Sequence, residues 1–325
     1  MKLTRRRVGV LTLLGAATVL AATVIPTRFA QDLARAAEHA RQGSTVAATR
    51  CGPIEVQQAG EGTPLLVVHG SGGGHDQGMT FARGLTAHGL RVIAPSRFGY
   101  LRTPRPADAS PAAQADAHAC LLDALGVERT AVLGLSAGAP SAVEMALRHP
   151  QRVSALVLVV PITPAPERAP APRSAVADDD VLLRLLGSDV LFWTALQVAR
   201  DAVFRHVLAT PPALIAEASA VERARVHALA DQVLPVSARA AGLRDDTGLG
   251  RRLGPQALET LRLATLVIAA RDDGFGTFDG ARRTAERIAG ARFVGFERGG
   301  HLLVGHDDEV RAQIVALVAD AAGRP

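Results

Sequence analysis

The residues Gly134-Leu135-Ser136-Ala137-Gly138 lie between an apolar run, Thr130 to Leu135, and a helix-like run, Ala139 to His149. A serine at a strand-to-helix seam, with glycine two positions away on either side, reads as a nucleophile elbow. The small neighbours let other chain segments approach the tight turn that lifts the Ser136 hydroxyl clear of the sheet. The next amide, that of Ala137, then stands at a helix N-terminus, where a negative oxygen is stabilised. A serine hydroxyl needs a base, and the base needs an acid to orient it. His301 follows Gly299-Gly300 after the apolar run Arg292 to Glu297, so it leaves the sheet at the same edge and is the expected base. Asp272 and Asp273 follow the run Thr265 to Ala270; Asp273 is the expected acid, with Asp272 as the alternative. Upstream, His69-Gly70-Ser71-Gly72-Gly73-Gly74 follows the run Pro64 to Val68. Its glycines suit an oxyanion hole in which the Ser71 or Gly72 amide acts with that of Ala137. A phosphate loop is excluded, because neither Gly-Lys-Ser/Thr nor Gly-x-Gly-x-x-Gly is present. His69 and His306 read as structural, His69 tying down the glycine loop and His306, the nearest rival to His301, as a capping or surface residue at the start of the last helix.

Those four sites need one sheet edge to bring them together. Short apolar runs without polar alternation, at Pro64 to Val68, Arg91 to Ala94, Thr130 to Leu135, Ala155 to Val160, Thr265 to Ala270 and Arg292 to Glu297, alternate with helix-period segments. That alternation predicts an α/β fold with a doubly wound, mostly parallel sheet covered on both faces. Helices are expected over Gln77 to His88, Pro111 to Leu125, Ala137 to His149, Phe278 to Ala289 and Asp307 to Ala322, and an antiparallel strand pair over Ala47 to Gln58. Residues 164–255 carry helix signals and no strand, and are read as an all-helical cap over the C-terminal edge of the sheet, where open α/β sheets bind ligands. Core residues 45–163 and 256–325 flank it. Leu182, Leu183, Leu185, Leu191, Phe192, Trp193 and Leu196 form either an apolar ceiling over the substrate or the cap's own core.

The chain has 325 residues and a formal charge of +5, but Lys2, Arg5, Arg6 and Arg7 supply four positives and the first 25 residues contain no acid. The remainder is close to neutral, so nucleic acid is not an expected partner. Val8 to Ile25 is an uncharged apolar run; as a helix it would span about 27 Å, near the roughly 30 Å hydrocarbon thickness of a bilayer. With Arg5-Arg6-Arg7 before it, the run reads as an N-terminal membrane-directed helix within residues 1–30, followed by a helical stalk or linker at 31–44. An uncleaved signal anchor, with the catalytic domain extracytoplasmic, is expected, and secretion after cleavage is the alternative. Cys51 and Cys120 are expected to be unpaired buried thiols, although an exported chain could pair them. No cofactor or metal is implied by the chemistry.

From about Thr45 onward the chain resembles the α/β-hydrolase fold superfamily. The resemblance rests on His69-Gly70-Ser71-Gly72-Gly73, the pentapeptide around Ser136, Asp273 after Leu266-Val267-Ile268, and Gly300-His301. Arg91 to Tyr100 also resembles the segment after the next strand in that family, where an aspartate commonly stands in place of Ser96. The likeness implies a cofactor-free serine hydrolase with a helical cap, acting on an ester of a small or hydrophobic substrate. Carbon–carbon or amide hydrolysis and acyl transfer use the same triad and stay open, as does a catalytically silent, ligand-binding form of the fold.

Overall fold

A computed structural model describes residues 24–164 and 187–323. Most of the apolar run Val8 to Ile25 therefore lies outside the described residues, as do Leu182, Leu183 and Leu185. Among the described residues no helix is long and apolar enough to cross a membrane. The first described element is helix α1, residues 24–39, which covers much of the expected linker.

One eight-stranded sheet organises the molecule, in the order β1-β2-β4-β3-β5-β6-β7-β8. Strands β1 (Ser44–Thr49) and β2 (Gly52–Ala59) form the antiparallel edge, and β2 is antiparallel to β4 (Leu90–Pro95). From there β4, β3 (Thr63–Val68), β5 (Thr130–Leu135), β6 (Val153–Val159), β7 (Ala264–Ala270) and β8 (Arg292–Phe296) run parallel. Every residue of β5 is buried, because β3 and β6 flank it and helices cover both faces. Leu66 and Val68 enter the apolar cluster on one face while Leu65 and Val67 enter that on the other, as the two-residue period of a strand requires. Each such side chain contributes about 1.5–3 kcal/mol by leaving water.

Helices α2 (His75–Phe81), α3 (Pro111–Ala124), α4 (Ala139–Arg148), α10 (Phe278–Arg287) and α11 (Asp307–Ala322) cover the sheet. The helix expected over Gln77 to His88 is interrupted: Gly84 takes φ +88°, outside helical space, and the chain resumes as a 3-10 turn at Leu85–His88. Between β6 and β7 the described residues form helices α5 (Asp189–Val198), α6 (Pro212–Glu217), α7 (Ala220–Asp231), α8 (Ala240–Asp246) and α9 (Leu249–Arg252). Phe192, Trp193 and Leu196 build a separate cap core, and α1 joins it through Phe29, whose ring lies edge-on to Trp193 at 5.6 Å. Ser219 separates α6 from α7, because its hydroxyl caps α7 by accepting from the Glu222 amide.

The cysteines correct the expectation of free thiols: Cys51 and Cys120 are joined in a disulfide. The β1–β2 turn carries Cys51 onto α3, where the Cys51 sulfur also lies 3.9 Å from the Asp116 carbonyl. Nothing local in the sequence signals that packing, since the two residues are 69 apart.

Candidate active site

Ser136 sits between β5 and α4 with φ +47°, a left-handed conformation that costs a non-glycine residue about 1–3 kcal/mol. The turn survives because two glycines admit the chain around it. A Cβ on Gly134 would lie 2.7 Å from the Ala139 Cα, and one on Gly138 would lie 2.4 Å from the Val68 carbonyl oxygen. Gly138 therefore lets β3 and the glycine loop press against the elbow. Ser136 is 7% exposed, and its carbonyl accepts from the Ile162 amide at 3.1 Å. Its hydroxyl carries no hydrogen bond among the described residues.

Asp273 and His301 meet at 2.9 Å between Oδ2 and Nδ1. An ionised carboxylate only accepts, so Nδ1 carries the proton and Nε2 is left as the basic nitrogen. Burial pushes the Asp273 carboxyl up, but the facing His301, the Thr277 hydroxyl and the Phe275 amide outweigh it and hold the carboxyl below its ordinary range. The Phe275 amide donates to Oδ1 at 2.9 Å, the Thr277 hydroxyl donates to Oδ2, and the Phe275 ring stands edge-on to the imidazole at 4.8 Å. Asp272 takes a different part: its Oδ1 accepts from the Gly300 amide at 2.7 Å and so fixes the turn that presents His301.

A cap residue ties together the loops that carry Asp273 and His301. The Ala209 carbonyl, at a left-handed residue with φ +45°, accepts from the Gly274 amide at 3.0 Å and from the His301 amide at 3.3 Å. Next to it the Thr210 hydroxyl accepts from the Leu302 amide at 3.1 Å. Sequence reasoning missed both residues, because no motif marks a carbonyl.

The glycine loop departs from expectation at one atom. The Gly72 amide donates to the Tyr100 hydroxyl at 3.3 Å, so of the two candidates it is Ser71 whose amide stays available beside Ala137. Ala137 stands in the first helical turn, where amides lack partners within the helix. The Ser71 side chain is held from the cap: its hydroxyl donates at 2.9 Å to Asp246 Oδ2, on α8. Asp246 also accepts from the Tyr100 hydroxyl at 2.5 Å and from both terminal nitrogens of Arg97, at 3.0 and 2.6 Å. Burial and the adjacent Asp246 together raise the Tyr100 phenol well above its ordinary range, so it stays a donor. Apolar cap atoms roof the same turn, since a Cβ on Gly72 would lie 3.8 Å from Val233 and 3.9 Å from Leu243.

His69 lies fully buried under this loop, its Nδ1 2.7 Å from the Gly70 carbonyl and its Nε2 accepting from the Arg97 amide at 2.9 Å. Burial, with Arg97 nearby, presses its pKa well below the ordinary value, so the neutral ring bridges the loops after β3 and β4. His306 stacks on Phe296 at 3.8 Å and contacts the Arg298 carbonyl at 2.9 Å; it stands at the N-terminus of α11 but its side chain makes no capping hydrogen bond. At Ser96 the missing carboxylate is supplied from β2: the Ser96 hydroxyl donates at 2.9 Å to the fully buried Glu55, which Arg102 Nε also meets at 2.6 Å. A second buried ion pair joins cap to core, where Arg239 donates to Asp76 at 2.7 and 3.3 Å and to the Gly73 carbonyl at 2.6 Å.

Comparison with known proteins places this site in a family. A family model described as alpha/beta hydrolase fold matches residues 63–307. The chain is 37% identical over 139 residues to a 2-hydroxymuconate semialdehyde hydrolase of Pseudomonas putida, a match covering 40% of this chain and half of that relative. It is 30% identical over 264 residues to a 2-hydroxy-6-oxononadienedioate/2-hydroxy-6-oxononatrienedioate hydrolase of Paraburkholderia xenovorans, covering 76% of this chain and 84% of that relative. Among solved structures, an alpha/beta hydrolase fold protein from Nakamurella multipartita superposes with a TM-score of 0.65 at 29% identity, covering 86% of this chain and 100% of that one.

Proposed function

Because this chain belongs to the α/β-hydrolase fold family, we propose that it is a serine hydrolase in which Ser136 attacks the carbonyl carbon of an uncharged, apolar carboxylic ester. The observation that carries this reading is the 2.9 Å Asp273–His301 pair, held by the Ala209 carbonyl at the edge from which Ser136 projects. His301 Nε2 takes the hydroxyl proton as the C–O bond forms, and Asp273 stabilises the imidazolium. The amides of Ser71 and Ala137 hold the tetrahedral oxyanion. Collapse expels the alcohol, which takes the proton from His301; water then attacks the acyl-enzyme by the same route and regenerates Ser136.

An uncharged substrate is favoured by the charges near the loop. Arg97 and Arg239 flank it, and each is engaged by a buried aspartate, Asp246 and Asp76. Neither is left to pair with a substrate carboxylate. A second reading, cleavage of a carbon–carbon bond beside a ketone, is favoured by the relatives, whose names state hydrolysis of a hydroxymuconate semialdehyde and of oxo-dienedioates. Turnover of p-nitrophenyl esters of graded chain length, set against a 2-hydroxy-6-oxo-dienedioate, separates the two. Faster turnover of the dienedioate would replace the ester reading with the second, and an undiminished Ser136→Ala protein would sink both.

We further propose that the catalytic domain works beyond a membrane to which residues 8–25 anchor it. The Cys51–Cys120 disulfide supports an oxidising compartment. Protease added outside spheroplasts, from which any outer membrane has been removed, should digest the domain, whether it is periplasmic or on the outer face; full protection would place it in the cytoplasm instead.

A further inference from the structure

Exposed large aliphatic side chains are unevenly distributed. Among the described residues Val24, Ile25, Val46, Val190, Leu191, Val198 and Val221 are exposed, and all except Val46 belong to α1 or the cap. Three of them lie on α5. Its exposed positions are Val190, Leu191, Thr194, Gln197 and Val198, which at 100° per residue fall within a wedge of about 120°. That face carries no charge. The opposite face, Phe192, Trp193 and Leu196, is buried in the cap core, so the outer face is not needed to hold the cap together.

Where the chain enters this face matters. Helix α1 packs against α5 beside that wedge, through the Phe29 and Trp193 rings and through the Trp193 indole N–H, which donates to Asp32 at 2.9 Å. Val24 and Ile25, about half exposed at the start of α1, are also the last turn of the apolar run that begins at Val8. The run thus reaches the folded domain on the cap, beside α5, and not at the opposite end of the sheet. Arg28 and Arg35 bracket Asp32 on α1, at the margin where the polar headgroups of a bilayer would lie.

We propose that the uncharged face of α5, with the first turn of α1, rests on the surface of a lipid bilayer. The proposal builds on the membrane-anchor reading of residues 8–25 and goes beyond it, because a tether alone would leave the cap free in water. The cap covers the Ser136 edge, so this seating favours substrates already dissolved in the bilayer, esters of long acyl or alkyl chains, over soluble ones.

The native cysteines are disulfide-bonded, so one introduced thiol can be labelled in the full-length chain with an environment-sensitive fluorophore. Labels at Val19→Cys, Val46→Cys, Val190→Cys and Val198→Cys are compared in vesicles of phosphatidylcholine and phosphatidylglycerol, with a doxyl-labelled lipid and aqueous iodide as quenchers. The expected result is that doxyl lipid removes most of the signal at 190 and 198 and little at 46. Iodide reaching 190 and 198 while lipid quenches 19 would overturn the seating and leave the anchor standing; iodide reaching 190 and 198 with 19 unquenched by lipid would overturn both. Lipid quenching at 190 and 198 without quenching at 19 would keep the seating and remove the anchor. Shielding of 190 and 198 from both quenchers would mean that another part of the chain or a second copy covers the face, and would also overturn the proposal. As an independent reading, Val198→Asp should keep full activity on a soluble short ester and lose most of its activity on a vesicle-embedded long-chain ester. An equal effect on both substrates counts against the seating.

Discussion

At the sheet edge, Ser136, Asp273 and His301 ride on β5, β7 and β8, strands packed by apolar side chains and positioned by parallel main-chain ladders. At the seam between core and cap the arrangement is different: Asp246 meets Arg97 across 149 residues and Arg239 meets Asp76 across 163, both pairs buried. Apolar packing is non-directional, so it supplies stability without insisting on one arrangement of its layers. A buried ion pair adds little net stability but penalises any seating in which its partners separate. In the proposed reaction the edge would therefore supply the reacting groups, and the seam decides how the cap sits over the glycine loop.

The largest expected effect lies at the edge. Ser136→Ala should lower kcat by about 10⁴-fold or more, with the thermal midpoint unchanged or slightly raised, since alanine leaves the frame intact. A matching loss of stability would mean that the elbow is structural. Across the seam, Asp76→Ala should cost about 3–5 kcal/mol in a urea titration, because it strands the fully buried Arg239 guanidinium. A cost below about 1 kcal/mol, the range of exposed pairs, would erase the contrast between the two regions. Where edge and seam touch, Asp246→Asn should reduce kcat by about tenfold, less than loss of a whole oxyanion donor, with KM for a soluble ester little changed. A change in KM alone would assign Asp246 to substrate binding.

His118 sharpens the comparison from within the core. It is fully buried on α3, neither ring nitrogen has a partner among the described residues, and burial, assisted by Arg97, presses its pKa down to about 3. The native ring stays neutral while an unfolded chain takes up a proton below pH ~6.5. Stability is therefore lost as pH falls from there toward about 3, where the native ring also titrates. His118→Leu should flatten that acid limb, read as urea midpoints at pH 7 and pH 4.5, and an unchanged slope would remove His118 as its cause. The smallest effect is expected at Ser71→Ala, which deletes one hydrogen bond to Asp246 and should cost about 1 kcal/mol in transition-state binding, measured as kcat/KM.

Much of the fold was legible because short apolar runs and helix-period segments are local patterns, and α11 and β5 occupy the expected residues, Asp307–Ala322 and Thr130–Leu135. Breaks inside helices were less visible: Gly84 interrupts the helix expected over Gln77 to His88. In the cap, Phe192, Trp193 and Leu196 proved to be core residues, while Leu191 faces outward.

The chain order Ser136, Asp273, His301 and the glycines around the elbow could be read from sequence because each lies immediately after a strand signal. The sheet geometry then brings strand ends to one edge whatever the intervening lengths. Tertiary structure alone decided the rest. Asp273 and not Asp272 faces the imidazole, the Gly72 amide is taken by Tyr100, Cys51 is bonded to Cys120, and Asp246 reaches Ser71 from the cap. Each of these depends on a partner far away in the chain or on the direction a side chain takes out of a turn, and neither leaves a periodic trace in the sequence.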